Sequence, residues 1–226
     1  MSEKILITGG SGDGKSYSLR NLPPEETLFV KPTNKMTIPI RGANKIFIPL
    51  SKDGTTGNTV VLDVPFKTNE QGENVSRING IYAIAKKRKF KYLVIDDVQY
   101  ILLAIENMFK LSDTYKDQRR IYAYIKQFTY NILTLSDMEA SSITTIFSWQ
   151  KLSTKDELVI PGEAFNEVVV PQGFFNIVLQ CEKGLTGEHS FRTNGNGLCK
   201  SPYGMLDEVM PNDIMPVLKA MEEYYE

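Results

Sequence analysis

Short apolar runs recur along the chain and alternate with stretches of helical periodicity. The runs are rich in β-branched residues and are bounded by glycine, proline or charged residues, which is typical of buried strands. They predict strands over residues 4–8, 27–30, 45–49, 59–64, 92–95, 142–148, 173–181 and 190–193.

Other stretches carry apolar residues at intervals of three and four, which is the spacing of an amphipathic helix. They predict helices over residues 78–87, 98–109 and 119–135. A short helix is also expected after residue 16, and it must end by Pro23, because a proline ring removes a backbone donor and clashes with the preceding turn. Strands and helices alternate early and strands dominate late. The pattern therefore predicts an α/β fold, a mostly parallel sheet flanked by helices, with an antiparallel C-terminal extension.

Residues 9–16 read G-x-x-x-x-G-K-S and begin where the first predicted strand ends. Glycines let successive backbone N–H groups turn toward an anion, and the N-terminus of the following helix adds positive charge. Lys15 is placed to contact the β- and γ-phosphates, and the Ser16 hydroxyl is placed to bind Mg²⁺. The motif predicts a loop that binds ATP or GTP. Its expected nucleotide contacts are Gly9, Ser11, Gly12, Asp13, Gly14, Lys15, Ser16 and Tyr17.

Two aspartates follow the predicted strand at residues 92–95. Proteins with such loops hold Mg²⁺ partly through an aspartate at the end of a second buried strand, and Asp96 has that position. Asp97 has two readings, which are to polarise a water molecule and to cap the helix that begins near Val98. The pairing of loop and aspartate predicts a magnesium nucleotide site.

Bulk composition limits the classes of function. The chain has 226 residues, and we expect one domain over residues 1–226. With 26 basic and 27 acidic residues the net charge is −1, so nucleic-acid binding would need a local patch or an assembly of subunits. Cys181 and Cys199 lack metal-like spacing and are typical of reduced thiols. With no signal-like or membrane-spanning segment in the pattern, we expect a cytoplasmic protein without a membrane partner.

Two further segments resemble a family of bacteriophage ATPases. They are residues 96–100, Asp-Asp-Val-Gln-Tyr, and residues 199–205, Cys-Lys-Ser-Pro-Tyr-Gly-Met, which are followed by Met-Pro-Asn-Asp at 210–213. The family consists of small RecA-like P-loop proteins, described as phage nucleotide-binding or AAA-domain proteins, and some are classed as single-strand annealing proteins or short recombinases. The resemblance covers nearly the whole chain. It implies a RecA-like core that assembles side by side on DNA, with ATP and Mg²⁺ at the subunit junction, in the host cytoplasm if the protein is phage-encoded.

The resemblance also implies roles for three further residues. RecA-like motors place a polar residue at the tip of the strand after the Mg²⁺ aspartate to sense the γ-phosphate, and Gln150 has that position. They also use a basic residue of the neighbouring subunit to stabilise charge on the transferring phosphoryl group. Lys200 is the first candidate and Arg192 the second.

One departure from the RecA-like pattern concerns hydrolysis. RecA-like enzymes commonly carry a catalytic glutamate at the end of the strand after the P-loop helix, whereas here Val30 is followed by Lys-Pro-Thr-Asn at residues 31–34. Nucleotide binding is expected all the same. Turnover is expected to be slow, or else Asp97 positions the attacking water.

Several basic residues are candidates for DNA contact. The first group is interleaved with aromatic residues that could stack on unpaired bases, although their helical spacing favours a core role for the rings. The second group follows the sensor strand, where RecA-like proteins carry DNA-binding loops. The candidates are Lys116, Arg119 and Arg120 in the first group and Lys151 and Lys155 in the second. His189, the single histidine, is interpreted as a solvated turn residue.

The leading prediction is an ATP-binding, DNA-dependent ATPase that binds single-stranded DNA as a homo-oligomer and supports phage recombination, annealing or replication. The alternative is a nucleotide-gated adaptor or loader of a replication protein, with slow hydrolysis. A small-molecule kinase is disfavoured because no arginine-rich lid segment is evident.

Overall fold

The computed structural model describes residues 3–33, 38–70, 74–110, 118–134, 142–152, 157–160, 170–195 and 199–226. Ten strands are assigned in these ranges: β1 (Lys4–Gly9), β2 (Thr27–Lys31), β3 (Thr59–Val61), β4 (Phe66–Thr68), β5 (Asn74–Ser76), β6 (Tyr92–Ile95), β7 (Thr144–Gln150), β8 (Ile177–Lys183), β9 (His189–Arg192) and β10 (Val209–Pro211). The α-helices assigned there are α1 (Ala43–Ile46), α2 (Arg77–Lys87), α3 (Val98–Lys110), α4 (Gln118–Thr134) and α5 (Ile214–Tyr225). None of the described helices is long and apolar enough to cross a membrane.

Eight of the described strands form one sheet in the order β10-β9-β8-β1-β7-β6-β2-β3. The strands from β8 to β3 in this order pair in parallel, whereas β8 with β9 and β9 with β10 pair antiparallel. The predicted α/β fold, with its antiparallel C-terminal extension, is therefore confirmed. Strand β7 lies between β1 and β6, so the carboxyl ends of three strands that carry predicted site residues are adjacent.

Both faces of the sheet are covered, because neighbouring residues of a strand point to opposite faces and pack into two separate hydrophobic cores. In β1, Leu6 packs in one core with helices α2, α3 and α4, while Ile5 and Ile7 pack in another with α1 and α5. The same alternation holds in β6, where Leu93 and Val94 belong to opposite cores. A strand buried on both faces reads as a continuous apolar run, which is how these strands were predicted.

The predicted strand at residues 45–49 is wrong. Residues Ala43–Ile46 form a short helix, and the chain then makes only an isolated bridge between Pro49 and Thr59. Phe47 is buried against Phe29, with ring centroids 4.5 Å apart in an edge-to-face arrangement. A short apolar run can therefore face the core from a turn as well as from a strand, and periodicity alone does not separate the two.

Helix α5 was not predicted, although the sequence contains its signals. The Asp213 carboxylate accepts a hydrogen bond from the Met215 backbone N–H at 3.1 Å, which is an N-cap. Ile214, Val217, Leu218 and Met221 then follow at helical spacing and are buried. This helix closes the second core beside the phosphate loop.

Candidate functional site

The loop at residues 9–16 joins β1 to a tight 3-10 turn at Tyr17–Leu19. The short helix expected there is thus reduced to a single turn, because Pro23 and Pro24 stop the chain from continuing it. Less positive charge comes from a helix end than the sequence motif suggested. The loop backbone and Lys15 must supply most of the attraction for an anion.

Lys15 is only 7% exposed, and its ammonium lies inside the curve of the loop. Its Nζ donates to the carbonyl oxygens of Gly9 at 3.2 Å and Gly10 at 2.7 Å. The Asp13 carboxylate closes the other side of the loop by accepting from the Gly10 N–H at 2.6 Å. Gly9 and Asp13 shape the loop and are not part of the cleft lining, so their direct contact with a nucleotide stays a prediction.

Two loop glycines adopt the left-handed backbone conformation that other residues rarely take, with φ of +86° at Gly12 and +97° at Gly14. Their surroundings differ. A Cβ at Gly12 would have no heavy atom of the described residues within 4 Å, whereas a Cβ at Gly14 would lie 3.1 Å from His189 and from Asn212 Oδ1. The loop is therefore packed against His189 and Asn212 at Gly14 and is open at Gly12.

This difference predicts that Gly14→Ala destabilises the protein more than Gly12→Ala does. Both variants carry the left-handed strain, about 1–2 kcal/mol, and only Gly14→Ala adds close contacts that His189 and Asn212 must move to relieve. Thermal unfolding of the two variants measures the difference. Equal melting temperatures for both variants would show that the contact at Gly14 does not support the loop.

The proposed metal ligands lie beside each other across two elements. The Ser16 hydroxyl is 3.3 Å and 3.2 Å from the two Asp96 carboxylate oxygens. The Ser148 hydroxyl, at the end of β7, donates to Asp96 Oδ1 and accepts from the Asp97 N–H at 2.8 Å. For this strand end the sequence predicted a role for Gln150 only. The buried Ser148 hydroxyl orients the carboxylate that is proposed to bind the metal.

Asp96 is buried, and the negative charge of the neighbouring Asp97 makes its ionised form less favourable. Burial raises the pKa of Asp96 to about 7, and the charge of Asp97 acts in the same direction, whereas hydrogen bonds from Ser148 and Ser16 lower it. A divalent cation favours the ionised form of an adjacent carboxylate. The site is thus arranged so that a cation would relieve the cost of burying this charge.

Asp97 has φ of +54°, which is unusual for a residue other than glycine. Its carboxylate accepts from the buried Gln99 side-chain amide at 3.0 Å, and the Gln99 carbonyl oxygen accepts from the Gln150 N–H at 3.1 Å. Gln99 therefore connects Asp97 to the end of β7. Backbone strain of this kind is concentrated at functional sites, and it turns Asp97 toward the cleft.

A cleft of about 520 Å³ brings most predicted nucleotide contacts together, and this volume is in the range of small-molecule sites. Its lining comprises Ser11, Gly12, Gly14, Lys15, Ser16, Tyr17, Pro39, Asp97, Tyr100, Gln150 and His189. Residues from the loop, from the turn after β6 and from the end of β7 thus face one space. Tyr17 and Tyr100, which are 39% and 47% exposed, add apolar surface at its rim.

The residues present fit a magnesium nucleotide. Mg²⁺ prefers oxygen ligands and is usually held by one or two carboxylates together with substrate phosphates. Asp96 and Ser16 supply such oxygens, and no cluster of three or more His, Cys, Asp or Glu that could hold a metal by itself occurs among the described residues. The open space at Gly12 belongs to the same cleft as Lys15 and leaves room for a phosphate there.

His189 was interpreted as a solvated turn residue, and that interpretation is wrong. It is the first residue of β9, is half-buried, and lines the cleft against Gly14. Its Nδ1 and the Oδ1 of Asn212 are buried and have no hydrogen-bond partner among the described residues. Sequence spacing could not indicate this contact, because 175 positions separate residues 14 and 189.

The segment before α5 is fastened to the turn after the loop. Arg20 donates to the Asn212 carbonyl oxygen and lies 3.8 Å from the Asp213 carboxylate. Asn21 donates to the same carboxylate at 2.6 Å. The Met-Pro-Asn-Asp segment noted in the sequence therefore supports the phosphate loop from behind.

Lys200 and Arg192 lie outside the cleft lining. Lys200 is exposed, and its backbone forms an isolated bridge with Val178 of β8. Arg192 is held by two carboxylates of its own chain, with Nε 2.8 Å from Glu182 and Nη1 3.1 Å from Glu208. The hydrogen bond to Glu182 is the main reason that the pKa of Arg192 lies above its ordinary value, and the charge of Glu208 acts in the same direction. Lys200 is thus the better placed of the two to reach a neighbouring molecule.

The candidate DNA contacts are only partly described. Lys151 is half-buried just beyond β7, where its N–H donates to the Gly9 carbonyl at 3.1 Å, and Arg119 is exposed on α4. Lys116 and Lys155 lie outside the described residues, as does the side chain of Arg120. These five positions stay predictions.

No protein-family model matches the chain, and none of the curated proteins matches it. Among solved structures, the chain is similar to a KaiC-like protein from the hyperthermophilic archaeon Pyrococcus horikoshii OT3. The sequence identity is 19%, the match covers 84% of this chain and 77% of that chain, and the TM-score is 0.39. In the chain's own topology, β7 separates the strand before the glycine-rich loop from the strand before the two aspartates.

Proposed function

We propose that the protein binds MgATP in the cleft at the phosphate loop and hydrolyses it. The observation that carries this proposal is that Lys15 and Ser16 line the cleft, and that the Ser16 hydroxyl lies 3.3 Å and 3.2 Å from the carboxylate oxygens of the buried Asp96, which follows a different strand. Contiguous sequence explains only the first two of these residues. A glycine-rich turn without function would not need a buried aspartate 80 positions away beside its serine.

The residues of the chain divide the work. Lys15 would bind the β- and γ-phosphates, and Ser16 and Asp96 would hold the metal, which would neutralise charge on the phosphates. Asp97 and Gln150 line the cleft and are linked through Gln99, which supports the roles proposed for them, to orient an attacking water and to sense the γ-phosphate. Catalysis in such a site comes mostly from positioning and electrostatic stabilisation.

We further propose that single-stranded DNA stimulates hydrolysis in a homo-oligomer with nucleotide at the subunit junction, in phage recombination, annealing or replication. The resemblance of residues 96–100 and 199–205 supports this proposal. The exposed position of Lys200 supports it as well, since a residue acting on a neighbouring subunit must be accessible. A cytoplasmic location belongs to the same proposal.

The second candidate function is a nucleotide-gated adaptor or loader with slow hydrolysis. It is favoured by the end of β2, where RecA-like enzymes commonly carry a catalytic glutamate and this chain has Lys31. Burial lowers the pKa of Lys31 below its ordinary value, yet a lysine there does not replace a carboxylate base. A loader would retain a helicase or polymerase in a pull-down even after nuclease treatment.

The test is steady-state ATP hydrolysis at low salt, without nucleic acid, with duplex DNA and with single-stranded DNA. We expect single strands to stimulate the rate by at least about tenfold. Lys200→Ala is expected to keep nucleotide affinity and lose the stimulation, because an interface cation acts on the transferring phosphoryl group. Arg192→Ala is the comparison, and its ion pairs predict a smaller effect on stimulation.

Tight ATP binding with no stimulation by DNA would contradict the DNA-dependent ATPase and favour the adaptor. A loss of nucleotide affinity in Lys200→Ala as large as that in Lys15→Ala would contradict the interface role of Lys200. GTP in place of ATP, in the same assay, determines the base preference.

A further inference from the structure

A second cavity, of about 410 Å³, lies at the carboxyl ends of β2 and β3. Lys31, Lys52 and Arg77 line it, together with the hydroxyl residue Ser51 and apolar residues that include Leu50 and Val60. The three cations come from three different elements, namely the end of β2, the loop before β3 and the first turn of α2. A mixed wall of this kind fits a ligand with an anionic end and an apolar end.

The charge in this cavity is of one sign. None of the described residues that line it is acidic. Of the two carboxylates nearest in sequence, Asp53 is bound within its own turn, whereas Asp63 pairs with one of the three cations, Arg77. Asp53 accepts from the hydroxyls of Ser51 and Thr55 at 2.5 and 2.8 Å, which holds it within its own turn. Asp63 lies 3.9 Å from Arg77 Nη1 and is largely exposed. A concave surface with an excess of cations concentrates anions from solution.

The cavity also has a defined place relative to the nucleotide cleft. The Asp96 N–H donates to the Val30 carbonyl oxygen at 2.9 Å, and Lys31 is the next residue along β2. The Lys31 carbonyl oxygen in turn accepts from the Leu62 N–H at 2.8 Å. The cavity is thus one strand away from the aspartate that is proposed to bind the metal, on the same edge of the sheet.

We propose that this cavity binds one nucleotide unit of single-stranded DNA, with the cations on the backbone phosphate and the apolar wall against the base. The proposal rests on the proposed function, which requires a site for single-stranded DNA. It differs from the predicted DNA contacts on α4 and beyond β7, because it uses residues at the β2–β3 end of the sheet. A strand bound here would contact β2 next to the Asp96 hydrogen bond, and so would lie beside the catalytic edge.

The experiment measures binding of a fluorescent oligothymidine to the full chain by anisotropy, from about 50 to about 200 mM salt. Lys31→Met and Lys52→Met keep the length of the side chain and remove the charge. Each is expected to reduce the slope of log affinity against log salt by about 0.7 and to weaken binding roughly tenfold at the lowest salt. Lys219→Met is the matched control, since Lys219 is an exposed lysine on α5 and its loss should leave the slope unchanged.

The outcomes separate this proposal from the proposed function. Wild-type protein that neither binds the oligonucleotide nor is stimulated by it would overturn both. Wild-type protein that binds and is stimulated, with both variants unchanged in slope, would overturn only the site at β2–β3. Circular dichroism spectra identical to wild type show that a variant is folded.

The affinity for thymidine monophosphate shows whether the second cavity prefers a DNA strand or a free nucleotide. Saturating ADP is added so that the nucleotide cleft is already occupied. Thymidine monophosphate carries the same base and a phosphate without the neighbouring units. We expect it to bind at least about tenfold more weakly than the oligonucleotide. Equal affinity, lost in the same two variants, would mean a mononucleotide site and would overturn the assignment to a DNA strand.

Discussion

Replacing Lys15 with alanine is expected to reduce the affinity for ATP at least about 100-fold. The ammonium is buried within the loop and is the one cation in the lining of the cleft among the described residues. Charge-assisted hydrogen bonds contribute about 1.5–3 kcal/mol each. Two of the three Lys15 donors bond the Gly9 and Gly10 carbonyl oxygens, so one remains for a phosphate oxygen, and the attraction of the buried charge for the phosphates adds to it. Titration calorimetry with ATP in the presence of Mg²⁺ measures the loss.

The control for this variant is Lys219→Ala, which also removes one lysine charge but from the exposed surface of α5. Its affinity for ATP should equal that of the wild type. Because Lys15 also holds the carbonyl oxygens of Gly9 and Gly10, thermal unfolding of Lys15→Ala without nucleotide must accompany the titration. A folded Lys15→Ala that binds ATP as the wild type does would show that the loop is not the phosphate site.

Asp96→Asn is expected to lower the rate of hydrolysis at least about 100-fold and to remove the gain in ATP affinity that Mg²⁺ provides. An amide oxygen is a weaker ligand for a hard cation than a carboxylate, and the charge that offsets the metal is lost. The fold should persist, because the substitution keeps the shape of a buried side chain and removes a charge from beside Asp97. Rates with MgATP, and affinities with and without Mg²⁺, check the prediction.

The matched control is Asp207→Asn, since Asp207 is an exposed aspartate away from the cleft lining. Asp97→Asn in the same assay separates the two neighbouring carboxylates. It is expected to keep the Mg²⁺-dependent gain in affinity and to slow turnover, because Asp97 faces the cleft without contacting Ser16. Wild-type turnover in Asp96→Asn would place the metal ligand elsewhere.

For β7 the sequence predicted the strand correctly but did not indicate the contacts of Ser148. The run at residues 142–148 predicted a buried strand, and the strand is there as Thr144–Gln150. Gln150 was selected because it is the last polar residue at the tip. Ser148 also contacts both aspartates, and this became visible only when the register of β7 against β1 and β6 was known.

The missed contacts share one cause. His189 meets the loop only because β9 pairs antiparallel with β8, and Asn212 meets it only because Arg20 and Asn21 bind the segment before α5. Neither pairing has a local signal in the sequence. By contrast, α5 had local signals, an N-cap aspartate and a helical apolar stripe, and could have been predicted.

By itself, the sequence determined the α/β class, most strand and helix positions, the phosphate loop and the aspartate after β6. These features depend on backbone periodicity, turn residues and contiguous motifs, which act over a few residues. The tertiary structure alone decided that β7 lies between β1 and β6, that Gln99 joins Asp97 to the end of β7, that His189 lines the cleft, and that three cations meet at the β2–β3 end. Those features depend on pairing and packing between residues far apart in the chain, whose free energy is set by the whole fold and not by any local segment.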